Sequence, residues 1–171
     1  PISTDKLGGA NLHDFHAFTP TVANIRPTSR GEISISSSDT KVNPRIKMNY
    51  LSTDEDRKVA ADGIKLIRKI VMETNEFKKY EPEEFRPGSH LNDKEEIVKA
   101  CSHYAQTIFH PVGTCKMGND ESAVVSDKLK VHGINKLRVI DASIMPNITS
   151  GNTNAPTIMI AEKGADMILS P

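Results

Sequence analysis

Tryptophan is absent from the 171 residues, and apolar side chains make up 37% of them. That is a thin supply for a self-sufficient core, so the chain is expected to rely on surface supplied by further polypeptide. A start at Pro1 rather than Met fits the same expectation of a piece of a longer protein. Cysteine is scarce, with only Cys101 and Cys115. One disulfide between them is a possible reading; two free thiols in a reducing compartment is the expected one. Neither sign of charge is in excess, with 22 Lys+Arg against 22 Asp+Glu. No basic stripe tracks a phosphate backbone, and no nucleic-acid partner is expected. No apolar run approaches the roughly 20 residues of a membrane span, and the residues present carry no signal-peptide pattern. There is no G-x-G-x-x-G; Gly113 to Gly118 has the wrong spacing and context for a dinucleotide-cradling turn. Internal repeats and low-complexity tracts are absent too.

The periodicities that are present change along the chain. Residues 19–26 mix apolar and polar side chains, and Arg30-Gly31 reads as a turn. Ile33 and Ile35 alternate with Ser34 and Ser36, the period of a half-buried strand. Residues 37–44 are loop, after which Ile46, Met48 and Tyr50 alternate with Lys47 and Asn49 in a second strand. A polar outer face on each predicts an antiparallel sheet with one side covered. Thr53-Asp54-Glu55-Asp56 opens a helix, since Thr53 can cap and an acidic first turn suits the dipole. Ala60, Ile64, Ile67 and Val71 carry that helix to about Glu73. Residues 75–91 read as an irregular connection, and the charge runs at 76–86 and 92–99 as solvated faces. A second helix is expected from Asn92-Asp93 with Ile97, Cys101, Tyr104 and Ile108 on one face. It should stop before Pro111, because a residue preceding proline avoids the helical region. Residues 112–136 read as loop, Leu137–Ile140 as a short strand, buried if it joins a parallel sheet, and 151–154 as loop. The closing helix, from Ala155 to about Leu169, is expected to turn Ile158, Ala161, Ala165 and Ile168 inward.

Two runs carry the chemistry: His110-Pro111-Val112-Gly113-Thr114-Cys115-Lys116-Met117-Gly118, then Asp141-Ala142-Ser143-Ile144-Met145-Pro146 through Gly151-Asn152-Thr153-Asn154-Ala155-Pro156-Thr157. An imidazole titrates near neutrality and can take a proton from an alcohol, but a lone His before Pro is ordinarily structural. An Asn in a Gly/Thr/Asn loop is ordinarily a turn former. In order and spacing, however, the two runs and their continuation Ile158 to Asp166 resemble the C-terminal signature of the glucose–methanol–choline (GMC) flavoprotein oxidoreductases. Arg26-Pro27-Thr28-Ser29-Arg30-Gly31 and Leu51-Ser52-Thr53-Asp54 also resemble that family, so the likeness covers nearly the whole chain, most strongly after residue 100.

The resemblance implies an α+β fold. An antiparallel sheet backed by helices, part of a substrate domain, would occupy residues 1–107. A loop–strand–helix return into an α/β FAD-binding domain, otherwise missing, would occupy 108–171. It implies that His110 and Asn152 form the catalytic pair, in the variant that carries Asn rather than a second His. His110 would serve the substrate hydroxyl and Asn152 would hold its oxygen. Asp141 and Ala142, ending a strand, would approach FAD with their backbone. Asn154, Ala155, Pro156 and Thr157 would present the closing helix's N-terminus to the flavin, with Asn154 as cap and Pro156 tolerated in the first turn. Free N–H groups and the dipole make such an end electropositive, suited to the negative charge of a reduced flavin. The implied partners are a small-molecule alcohol, an electron acceptor (quinone or oxygen), and the absent N-terminal FAD-binding segment. The acceptor-dependent alcohol and choline dehydrogenase branch is the nearer one, with a cytoplasmic or membrane-associated location. A flavin-dependent lyase on the same fold, and a non-catalytic assembly module, are the alternatives; the missing glycine fingerprint is the support for the latter. No metal site is expected: His13 and His16 form H-x-x-H without a Cys or acidic ligand set at suitable spacing. Cys115 reads as a structural thiol, His90, His103 and His132 as surface or loop residues, and Asn147-Ile148-Thr149 as a chance match to a glycosylation sequon.

Overall fold

The computed structural model describes residues 11–170. They form two compact units, and the division is not the contiguous one expected at 107/108. The first unit comprises residues 11–24 with Leu51–Gln106; the second joins Ile25–Tyr50 to residues 107–170. Sequence adjacency cannot reveal that residues 25–50 pack with the C-terminal part. Among the described residues no helix is long and apolar enough to cross a membrane.

The first unit is helical. Helix α1 spans Asp54–Glu73, and its N-cap Thr53 accepts from the Asp56 amide at 3.3 Å. The acidic first turn of Asp54, Glu55 and Asp56 faces the positive end of the helix dipole. A single turn, α2 (Asn75–Lys78), interrupts the irregular connection. Helix α3 spans Lys94–Tyr104, capped by Asp93, whose carboxylate accepts from the amides of Glu95 and Glu96. Ala61, Ile97 and Val98 form the buried core, with Leu51, Ile64, Leu91 and Cys101 packed against it. Burial pushes the Cys101 thiol above its ordinary range.

Helix α3 stops short of its expected end. Ala105 is already extended, with ψ 147°, and Phe109 is left-handed at φ 64°. The proline constrains only His110. Tyr104 and Ile108 remain about half exposed, so no burial drives the helix onward. The acidic run at 76–86 is not wholly solvated either. Glu84 lies beneath Arg68 of α1 in a bidentate pair at 2.8 and 2.9 Å, with side chains 17% and 12% exposed. Arg68 also donates to the carbonyls of Leu91 at 2.7 Å and Gly88 at 2.9 Å, which ties the connection down.

The second unit is built mostly of backbone-bonded loop. Its one regular sheet is the antiparallel pair β1 (Glu32–Ser34) and β2 (Arg45–Lys47), in register Ile33 opposite Ile46. Gly31 is demanded here, since a Cβ would lie 2.3 Å from the Lys47 carbonyl oxygen. The expected covered face is not covered within this chain: Ile33, Ile46 and Tyr50 are 48%, 62% and 57% exposed. Val125, Leu129, Ile144, Met145 and Ile160 make the core, with Val112, Met117, Val139, Ile140 and Met167 against it. Residues 137–140 do not form the expected strand. They contribute one bridge, Lys130 to Arg138, because left-handed Leu129 and Lys136 (φ 60° and 63°) bend the flanking backbone away after a single pair.

Helix α4 spans Asn154–Leu169. It buries Ile160 and Gly164 rather than the expected stripe; Ile158 and Ile168 stay more than half exposed. Both stripes have helical spacing. Gly164 decides between them, since a Cβ there would sit 2.5 Å from Ile140 Cγ2. The helix lies too close to Ile140 on that face for any other residue.

Candidate active site

Pro111 forbids His110 the helical region, and Phe109 before it is left-handed. Together they bring the chain around so that the imidazole points back toward the loop before α4. The following segment is held from behind. Val112 packs on the core. Gly113 has φ 89°, a conformation costly for any residue with a Cβ. The Cys115 amide donates to the Ser143 carbonyl at 3.0 Å and the Met117 amide to the Ile144 carbonyl at 2.8 Å. The signature run is thus bonded to the short 3₁₀ turn Ala142–Ile144, which itself packs against α4.

The loop carrying Asn152 is held from the other side. Arg30 donates to Asn147 Oδ1 at 2.5 Å and Arg26 to Ser150 Oγ at 3.0 Å. This gives a structural role to the Arg26–Gly31 run, and it gives the sequon asparagine an internal partner. Within the frame, Asn152 Nδ2 meets His110 Nε2 at 3.0 Å. The other ring nitrogen, Nδ1, meets Thr153 Oγ1 at 3.0 Å. Thr153 is 7% exposed. Its carbonyl receives the Thr157 amide at 3.0 Å and the Thr157 hydroxyl at 2.6 Å, so the residue that touches His110 also starts α4.

The other site residues named from the sequence fall around this pair with unequal freedom. The expected cap is one residue off: Thr153 stands at the N-cap without a side-chain capping bond, and Asn154 is the first helical residue. Asn154 and Ala155, both exposed, have amides at a helix start, where no intrahelical acceptor exists. Pro156 has no N–H to offer, and both donors of Thr157 are committed to Thr153. The Asp141 carboxylate accepts from the Ser143 amide at 2.8 Å and from its hydroxyl. Thr153, Arg26 and Arg30 were not singled out as site residues from sequence. Thr153 sits inside the conspicuous Gly151–Thr157 run, but nothing in its spacing tells that its hydroxyl turns to a residue 43 positions earlier.

Both comparisons by sequence and by fold point the same way. A profile described as GMC oxidoreductase matches residues 27–161. The chain belongs to the GMC oxidoreductase family. It is 47% identical over 160 residues to an oxygen-dependent choline dehydrogenase of Proteus mirabilis, covering 94% of this chain and 29% of that protein. It is 45% identical over 168 residues to the enzyme of the same description from Pseudomonas savastanoi pv. phaseolicola, covering 98% and 29%. Among solved structures, pyridoxine 4-oxidase from Mesorbium loti superposes with TM-score 0.78 at 34% identity, over 86% of this chain and 28% of that one. A formate oxidase of Aspergillus oryzae RIB40 superposes with TM-score 0.77 at 33% identity, over 90% and 28%. The chain therefore spans less than a third of the length of these relatives.

GMC oxidoreductases are FAD-dependent, and the donor set here fits the reacting end of that cofactor. The His110–Asn152 contact and the two helix-start amides of Asn154 and Ala155 are joined through Thr153. The Asp141 carboxylate is engaged through Oδ1 by Ser143. The Gly-rich cradle for the ADP half is absent from the sequence.

Proposed function

We propose that this chain is the C-terminal catalytic portion of an FAD-dependent oxidoreductase that converts an alcohol CH–OH group to a carbonyl. The observation that carries the reading is the His110–Asn152 contact at 3.0 Å, immediately before the open N-terminus of α4. Asn152 Nδ2 passes from His110 Nε2 to the alcohol oxygen and orients the carbon that is oxidised, and the Nε2 lone pair it releases accepts the hydroxyl proton. When bound, FAD supplies the acceptor for the hydride leaving that carbon, so the alcohol loses one proton and one hydride. The amides of Asn154 and Ala155 would hold the flavin end, and the Asp141–Ala142 backbone would line its approach. The first compact unit contributes to the substrate side and the second forms the return into the FAD-binding domain.

The choline dehydrogenase relatives support a small, choline-like alcohol, with oxygen or a quinone as electron acceptor. The two free thiols, Cys101 and Cys115, support a reducing location, in the cytoplasm or at its membrane surface. The test is His110→Ala in the full-length protein. Turnover is expected to fall by about 100-fold or more, the scale of a positioned acid–base group, with FAD content unchanged. Near wild-type steady-state turnover in a flavin-loaded variant would remove His110 from the chemistry.

A further inference from the structure

The two nitrogens of His110 are held by different partners. Asn152 presents its amide nitrogen to Nε2 at 3.0 Å. An amide nitrogen only donates, so Nε2 carries a lone pair. A neutral imidazole has one N–H, which is then on Nδ1, where Thr153 Oγ1 stands at 3.0 Å to receive it. Thr153 is well placed to hold that bond. It is buried, and its own carbonyl is engaged by the amide and the hydroxyl of Thr157, so the first turn of α4 fixes its backbone. Its side chain has forgone the usual N-cap bond: no hydroxyl-to-amide cap is made at this helix start, although threonine is a residue well suited to make one.

We propose that Thr153 is a positioning residue that locks His110 in the Nδ1–H tautomer and so keeps the Nε2 lone pair aimed beside Asn152. This rests on the reading of His110 as the proton acceptor. Without an acceptor at Nδ1 that N–H is left unpaired, and the other tautomer, reached when the Asn152 amide turns its oxygen to Nε2, becomes competitive. Part of the population then carries its proton on Nε2, where it cannot accept another. The loss falls on turnover rather than on binding, because the Thr153 hydroxyl meets Nδ1, the ring nitrogen away from Asn152.

The test uses the full-length flavoprotein with ¹⁵N-labelled histidine, under conditions where the imidazole is neutral. The His110 resonances are assigned by their disappearance in His110→Gln. The wild type is expected to show a protonated Nδ1 and an unprotonated Nε2. Thr153→Val, nearly the same shape without the hydroxyl, is expected to show mixed tautomers and a kcat lower by roughly 10- to 100-fold, the scale for the outer partner of a functional histidine. KM and FAD content should hold. Thr153→Ser should restore the wild-type tautomer and most of the lost turnover. A wild-type spectrum with the proton on Nε2 overturns the proposal even if Thr153→Val does not fold, and so does a folded Thr153→Val with unchanged tautomer and kcat. Failure of the functional reading looks different: turnover would survive His110→Ala while the tautomer still depended on Thr153.

Discussion

Thr53 and Thr153 stand at the same position on two helices and use their hydroxyls differently. Thr53, at the start of α1, accepts from the Asp56 amide and closes the first turn. Thr153, at the start of α4, leaves the first turn uncapped and turns its hydroxyl to His110. The contrast separates the two units. In the first, polar groups near helix ends complete local architecture: Asp93 caps α3, and Arg68 of α1 binds the connecting segment. In the second, the groups at the helix end are aimed away from the helix, and the N–H groups of Asn154 and Ala155 keep no partner within it.

Breaking the architectural side should be costly in stability and silent in chemistry. The largest effect is expected from Arg68→Ala. It strands the Glu84 carboxylate, whose side chain is only 12% exposed, and removes donors from the carbonyls of Gly88 and Leu91. Removing one partner of a largely buried pair costs about 3–5 kcal/mol. Amide hydrogen exchange should show that loss in α1 and α3, and Arg68→Ala/Glu84→Ala should recover part of it. Unchanged protection in α1 would mean that the clamp contributes nothing.

A smaller effect tests the comparison itself. Thr53→Ala should cost about 1 kcal/mol, the worth of an N-cap hydroxyl, read as a lower denaturation midpoint with turnover intact. Thr153→Val should do the reverse, lowering turnover with a smaller change in midpoint because no cap bond is lost. Equal losses of midpoint in the two variants would erase the distinction.

The smallest effect concerns pH. Asp120 accepts from Ser122 and then from Lys116, at 3.1 Å, and these bonds hold its carboxyl down to about 2 from 3.8. The folded state therefore binds this proton less readily than the unfolded one. The stabilisation is complete above pH 3.8 and is lost as pH falls toward 2. The group is fully exposed, so the effect is better read by NMR titration of its carboxyl carbon than by melting. Ser122→Ala should raise the titration midpoint more than Lys116→Ala; the opposite order would make the ion pair the leading cause.

Local chemistry was enough to read some of this molecule. Thr53 with three acids behind it marks the start of α1, and Asp93 with Glu95 and Glu96 marks α3, because a cap and a dipole act within one turn. The alternation around Ile33 and Ile46 identifies the paired strands, since a period of two survives in any sheet. His110 and Asn152 were legible as candidates through the order and spacing of their runs. Tertiary structure decided everything that joins distant positions. It brought Asn152 to one nitrogen of His110 and Thr153 to the other across more than forty residues. It chose the Ile160–Gly164 stripe of α4 over an equally periodic rival, through one close approach to Ile140. It ended α3 before its apolar spacing ran out and placed residues 25–50 with the C-terminal unit. Spacing along a chain records which side chains share a face. It holds no information about what that face will meet, and that meeting sets which hydroxyl caps a helix and which one holds a histidine.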